Sequence, residues 1–225
     1  MTADLDRRKA FIRANTRLGA VPGIVLPHLD PPAELRVWQA DEITPIWAAT
    51  ETDLQRQGLE PPFWAFPWAG GQGVARYILE YPETVRGKRV LDIACGGGLL
   101  AIVAAAAGAA EVAGNDIDAM CEAALALNAE ANGVAVHWLC GNLITAPPLD
   151  FDVILAGDVF YERDMSASFQ DWFAEAAQQG ATIYAGDPGR AYAPKGGPDP
   201  VAEYAIATTM ELESAERRTC RVWRL

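Results

Sequence analysis

Three aspartates stand at or just beyond the end of an apolar run, where a turn begins. They are Asp92 in KRVLDIACGGGLL (88–100), Asp116 in AEVAGND (110–116) and Asp158 in GDVFYERD (157–164). The first is followed by Gly96, Gly97 and Gly98, which let the backbone turn tightly and approach a ligand with no side chain in the way. A close strand-to-helix turn is the plain structural alternative. Gly96-x-Gly98-x-x-Ala101 fits a dinucleotide fingerprint, and Asp116 lies about 20 residues on, where an acid takes ribose hydroxyls. Any nucleoside cofactor held by its ribose asks for the same acid. Asp92 separates the possibilities. At the end of the first strand it repels a pyrophosphate and attracts an ammonium group, and S-adenosylmethionine carries an ammonium beside a positive sulfonium.

Those acids need strands to hold them. From residue 88 the sequence alternates short apolar runs with helical stretches: RVLDIA (89–94), a helix over 99–107, AEVAGND (110–116), and a helix over 118–133. VAVHWLC (134–140), FDVILAG (151–157), a helix over 164–179 and ATIYAG (181–186) follow. Strongly apolar strands alternating with helices predict a parallel sheet covered on both faces. EYAIATTMEL (203–212) and RRTCRVWRL (217–225) are too close for a parallel crossover and predict an antiparallel hairpin. The expected fold is α/β, a doubly wound, mostly parallel, seven-stranded Rossmann-like sheet ending in that hairpin. Residues 1–87 are expected to form an N-terminal helical extension or lid, with helices near 4–18, 42–57 and 70–80, packed on a core of 88–225. In such a sheet the ligand lies beyond the carboxyl ends of the strands.

Composition narrows the partners. The 225 residues carry 30 acidic against 18 basic side chains, a net charge of −12, which disfavours nucleic acid and suits a lysine-bearing protein surface. Four cysteines and two histidines show no metal-ligand spacing. No run approaches the roughly 20 apolar residues of a membrane span. A cytoplasmic location is expected; the oligomeric state stays open, with a monomer favoured.

VLDIACGGG (90–98) resembles the first motif of the seven-β-strand methyltransferases, with Ala94 where glycine is more usual. That resemblance implies that Asp92, Ala94, Gly96 and Gly98 surround the methionine part of S-adenosylmethionine. It further implies that Asp116 binds the ribose, and that Ile117, Asn142 and Leu143 lie beside the adenine. Asp116 as a helix cap and Asn142 as a turn residue are the plainer roles. Asp158-Val159-Phe160-Tyr161 is similar to the acid-x-x-aromatic motif of a branch of protein lysine methyltransferases. Asp158 would then capture the lysine ammonium and orient the amine, with Tyr161 as an aromatic wall. Methyl transfer needs the neutral amine, and removing its proton at pH 7 costs about 4.6 kcal/mol for a side chain of pKa about 10.4. For Asp158 a helix cap, and for Tyr161 core packing, stay open.

PFWAFPWAGGQ (62–72) is similar to the tryptophan segment of that branch, which lies over the cofactor and whose tryptophan Trp68 matches. FIRANTRL (11–18), GDVFY (157–161) and GDPGRAY (186–192) extend the likeness to the electron transfer flavoprotein β-subunit lysine methyltransferases, bacterial forms included. This implies methylation of lysines on that subunit. A ribosomal protein or a small molecule as acceptor stays open. So do a cofactor-binding module without catalysis and, more distantly, an NAD-dependent oxidoreductase, which leaves Asp92 and DVFY without a task.

Overall fold

The computed structural model describes residues 2–41, 44–48, 61–193 and 198–225. The chain opens with helix α1 (Thr2–Asn15), as expected, and continues into strands β1 (Arg17–Leu26) and β2 (Ala33–Gln39), which pair antiparallel. The extension is therefore not only helical. Pro22 and Gly23 read as helix and strand breakers in sequence. Here they fall where the register shifts between Ala20 and Val25, and Gly23 takes a φ of 76°, so the irregularity absorbs them inside the strand. Of the helix expected over 42–57, α2 (Pro45–Ala48) is described and the remainder is mostly outside the described residues.

Helix α3 (Ala69–Glu80) precedes the strand-helix alternation: β3 (Arg89–Ile93), α4 (Leu99–Ala106), β4 (Glu111–Asn115), α5 (Ala119–Ala131), β5 (His137–Leu139), β6 (Val153–Gly157), α6 (Arg163–Gln178) and β7 (Thr182–Asp187). The tail forms β8 (Ala202–Ala207), α7 (Met210–Glu213) and β9 (Arg217–Arg224). The strand expected over 203–212 ends at Ala207, and Thr209 caps the short α7 by accepting from the Leu212 N–H at 3.2 Å. The seven-stranded sheet runs β5-β4-β3-β6-β7-β9-β8, parallel from β5 to β7, with β9 antiparallel to both its neighbours.

Period-two alternation sorts the side chains. Val90, Val153, Leu155 and Tyr184 join the core beneath α3 and α4, while Leu91, Ile93, Ile154, Ala156, Ile183 and Ala185 pack with Phe169, Trp172 and Phe173 of α6. Asp92 follows the same rule. It falls on the α4 side, and its Oδ2 accepts from the Ala101 N–H at 2.9 Å, capping the first turn of α4 from the strand.

Two asparagines one helical turn apart weld the extension to this sheet. Asn128 of α5 accepts from the Trp38 N–H at 2.7 Å and donates to the Gly97 carbonyl at 2.8 Å. Asn132 accepts from the Arg36 N–H at 2.9 Å and donates to the Arg36 carbonyl at 2.6 Å, as a neighbouring strand would. β2 is thus tied to α5 by side-chain amides.

Candidate active site

Five loops leave the carboxyl ends of β3, β4, β5, β6 and β7, and they bound one cleft of about 660 Å³, a size that suits a small-molecule cofactor. Ala94 and Gly96 come from the first loop, Asp116 and Ile117 from the second, Asn142 from the third, Asp158 and Tyr161 from the fourth, and Arg190 from the fifth. Trp68, just before α3, closes one side. A narrower recess adjoins it, lined by Asp92, Ala94, Gly96, Gly71, Trp68 and Asp158. Nine of the eleven sequence-predicted residues therefore meet at one site: Trp68, Asp92, Ala94, Gly96, Asp116, Ile117, Asn142, Asp158 and Tyr161.

Gly98 and Leu143 do not line it. Gly98 has a φ of 77° and starts α4, and a Cβ there would collide with the Leu125 side chain, so its glycine is a requirement of the turn. Leu143 begins a 3-10 turn over Leu143–Thr145 and packs toward the α6 core. Ala94, where glycine is more usual, adopts a φ of 51°, a left-handed conformation that disfavours a side chain.

The acids differ in their settings. Asp92 is 2% exposed, and burial pushes its carboxyl up to about 8, against the pull of the Ala101 N–H and with a further push from Asp116. Asp116 accepts from the Gly96 N–H at 2.9 Å and from the Asp118 N–H at 3.1 Å, and its carboxylate has further acceptor capacity for a hydroxyl. The cap of α5 is Asp118, which accepts from the Met120 N–H, so Asp116 is not that cap.

Asp158 is 7% exposed and has a φ of 59°. Such strain in a non-glycine residue at a cleft is characteristic of functional positions. It does not cap the following helix, since α6 begins after Glu162. Its Oδ2 accepts from the Gly71 N–H at 3.1 Å in the first turn of α3. Its Oδ1 takes Arg190 Nε at 3.0 Å and Nη2 at 2.6 Å. Burial raises its carboxyl to about 6, with Arg190 opposing the rise. The close approach of α3 to these strand ends is permitted by Gly70, Gly157 and Gly186, where any Cβ would strike the facing backbone.

Tyr161 is half exposed and is therefore not a core residue; its ring centroid lies 6.0 Å from that of Phe63, itself exposed at the rim. Trp64, by contrast, is core, at 4% exposure. Trp68 donates through Nε1 to the Phe63 carbonyl at 2.9 Å.

Sequence reasoning missed Arg190 and Glu213. Arg190 bridges Asp158 and Glu213, the latter at 3.0 Å, and its guanidinium lies 5.5 Å from the Trp68 ring centroid. GDPGRAY held the signal: Asp187 accepts from the Gly189 and Arg190 N–H groups at 2.6 Å each, an aspartate turn that aims the arginine back at the strand ends.

A cleft with apolar walls, an acid for a hydroxyl pair and a buried acid in its recess fits a nucleoside carrying an ammonium group. Comparison with known proteins agrees. A family model described as "Ribosomal protein L11 methyltransferase (PrmA)" matches residues 77–160. The rat electron transfer flavoprotein beta subunit lysine methyltransferase is 33% identical over 190 residues, covering 82% of this chain and 69% of that protein. The human protein of the same name is 31% identical over 225 residues, covering 96% of this chain and 80% of its own. The ribosomal protein L11 methyltransferase of Dechloromonas aromatica (strain RCB) is 37% identical over 123 residues, 54% of this chain and 39% of that one. A solved structure of a proposed RNA methyltransferase from Pyrococcus horikoshii shares the fold, with a TM-score of 0.50 at 16% identity over 67% of this chain and 80% of that one. At this identity and coverage, the chain belongs to the electron transfer flavoprotein beta subunit lysine methyltransferase family, enzymes that are S-adenosylmethionine-dependent protein-lysine methyltransferases.

Proposed function

We propose that this protein methylates lysine ε-amines of the electron transfer flavoprotein β-subunit. One observation carries the assignment: Asp92, in β3, and Asp158, just after the adjacent parallel strand β6, line the same recess. Asp92 suits a cationic ammonium, and Asp158 keeps a lone pair that can accept from an amine, so the recess is suited to holding the two nitrogens close together. When bound, S-adenosylmethionine supplies a methyl group on a positive sulfur, which a neutral amine displaces.

The chain's residues divide the remaining work. Asp92 receives the cofactor's ammonium, and Ala94 and Gly96 leave its backbone room, with Gly98 fixing the turn. Asp116 takes the ribose hydroxyls. Ile117 and Asn142 flank the adenine, Leu143 supports that wall from behind, and Trp68 covers the recess. Asp158 receives the lysine and orients its amine through a hydrogen bond. Tyr161 and Phe63 form an apolar collar around the aliphatic stem, excluding water from the reacting end. Residues 1–87 act as an extension of the 88–225 core, and its 61–68 segment covers the cleft.

The family name and the charge support this choice of substrate. The net charge of −12 favours encounter with a lysine-bearing surface. The test is incubation with methyl-labelled S-adenosylmethionine in a cell lysate supplemented with recombinant electron transfer flavoprotein, followed by peptide mapping. Label on β-subunit lysines is the expected result. Label confined to a ribosomal protein would replace the substrate assignment and keep the chemistry.

A further inference from the structure

Arg190 is a charged side chain at the acceptor end to which methyl transfer gives no task. It is fixed at both ends. Its backbone N–H donates to Asp187 Oδ1, and its guanidinium donates to Asp158 and Glu213 while lying over Trp68. Glu213 is itself 5% exposed, and its backbone carbonyl accepts from Arg218 Nε at 3.1 Å.

Among the described residues, the charged and titratable groups around this point come from several elements and the turns that follow them. Asp158 follows β6, Asp187 ends β7, Glu213 ends α7, and Arg218 and Cys220 belong to β9. The Gly71 N–H comes from α3, and Tyr161, influenced by Asp116, follows Asp158. Among the described residues, two cations thus sit among three buried carboxylates.

The arrangement poses a chemical conflict. A bare carboxylate raises the pKa of the amine beside it and so holds back the nucleophile. A carboxylate already paired with a guanidinium carries almost no net charge, yet it keeps lone pairs that accept from a neutral amine. We propose that Arg190 is a positioning residue that sets protonation at the acceptor end, keeping Asp158 ionised and cancelling its pull on the lysine proton. The proposal rests on the lysine-methyltransferase assignment above. The proton leaves the ammonium to solvent before the stem seats in the collar. The nitrogen lone pair would then bond the methyl carbon as its bond to sulfur breaks, the sulfur leaving as the neutral thioether of S-adenosylhomocysteine, and no further reactant is required.

Two variants make opposite predictions. Arg190→Gln removes the cation, and Glu213→Gln removes a like charge. In protein saturated with S-adenosylhomocysteine, ¹³C NMR titration of the Asp158 carboxyl should move up by about one unit or more in Arg190→Gln, the size expected for a lost opposite charge. It should move down in Glu213→Gln. The acid limb of kcat/KM for lysine methylation should follow in the same directions, with Arg190→Gln regaining rate at alkaline pH. Arg190→Lys, which keeps the charge, should keep its limb near that of the wild type. A structural role alone lowers the rate at every pH and moves no limb. An Asp158 titration that stays within about 0.3 unit in Arg190→Gln overturns the proposal. If the carboxyl moves as expected while the wild type methylates no lysine, Arg190's hold on Asp158 stands and the lysine assignment falls.

Discussion

Alanine at Gly70 and alanine at Gly71 should have opposite effects on stability, although the residues are neighbours in the first turn of α3. A Cβ on Gly70 falls inside contact distance of the Gly186 carbonyl oxygen and of the Asp158 carboxylate, 2.8 Å from its Cγ. One obstacle is backbone and the other is a buried side chain held by Arg190, so neither yields cheaply. Overpacking of this kind costs about 1–3 kcal/mol. If α3 shifts to relieve it, the Gly71 N–H bond to Asp158 lengthens, and a hydrogen bond to a charged group is worth about 1.5–3 kcal/mol. The sum is about 2.5–6 kcal/mol, or roughly 5–24 °C in melting temperature for a chain of this length. At Gly71 the same methyl meets no atom within 4 Å, and alanine in a helix gains up to about 1 kcal/mol over glycine. Thermal denaturation of both variants without ligand reads the difference: Gly70→Ala should melt far below the wild type, and Gly71→Ala at or above it. Because Gly71 lines the recess, its variant should also bind S-adenosylhomocysteine more weakly. A Gly70→Ala protein as stable as the wild type would refute the packing of α3 on the strand ends.

Three other outcomes are expected. Asp92 has a folded pKa of about 8 against an ordinary 3.8, so the unfolded chain ionises first and this residue makes stability fall as pH rises from about 4 to about 8. Asp92→Asn should therefore gain on the ligand-free wild type across that window while losing cofactor affinity; parallel melting curves for the two proteins would contradict it. Binding of S-adenosylhomocysteine to the wild type, measured by calorimetry, should tighten from pH 6 to pH 8, because its ammonium needs the Asp92 anion; a flat profile counts against that contact. Asn128→Ala strands the Trp38 N–H and the Gly97 carbonyl, at about 1–3 kcal/mol per buried group. Urea denaturation should show a loss of about 2–6 kcal/mol, and a loss under about 0.5 kcal/mol would mean that the asparagine does not tie β2 to the glycine loop.

The sheet was legible because its strands are short apolar runs that alternate between two covered faces, as Val90, Leu91, Ile93 and Ile154 do. The acids were legible for a related reason: each lies within a residue of the end of such a run, and a parallel sheet gathers those ends at one edge. The β1–β2 hairpin was hidden because Pro22 and Gly23 carry the signature of a break, and only the register shift between Ala20 and Val25 accommodates them. Asn128 and Asn132 look like ordinary polar helix positions until β2 lies alongside. Arg190 and Glu213 are 23 residues apart, and Arg190 and Asp158 are 32 apart. Neither spacing is periodic in any element, so their pairing depends on how β7 and the β8–β9 hairpin dock. The stretch over 42–57 gave a helical pattern, of which Pro45–Ala48 is described and helical.

The central claim is that one cleft brings a methyl donor to a lysine held by Asp158. Its most direct test is intact-mass analysis of the recombinant electron transfer flavoprotein β-subunit after incubation with S-adenosylmethionine and either wild type or Asp158→Asn, with S-adenosylhomocysteine affinity measured for both. Mass increments of methyl groups with the wild type, reduced about a hundredfold or more in rate with Asp158→Asn at unchanged cofactor affinity, are what the account predicts. Equal methylation by the two proteins would contradict it.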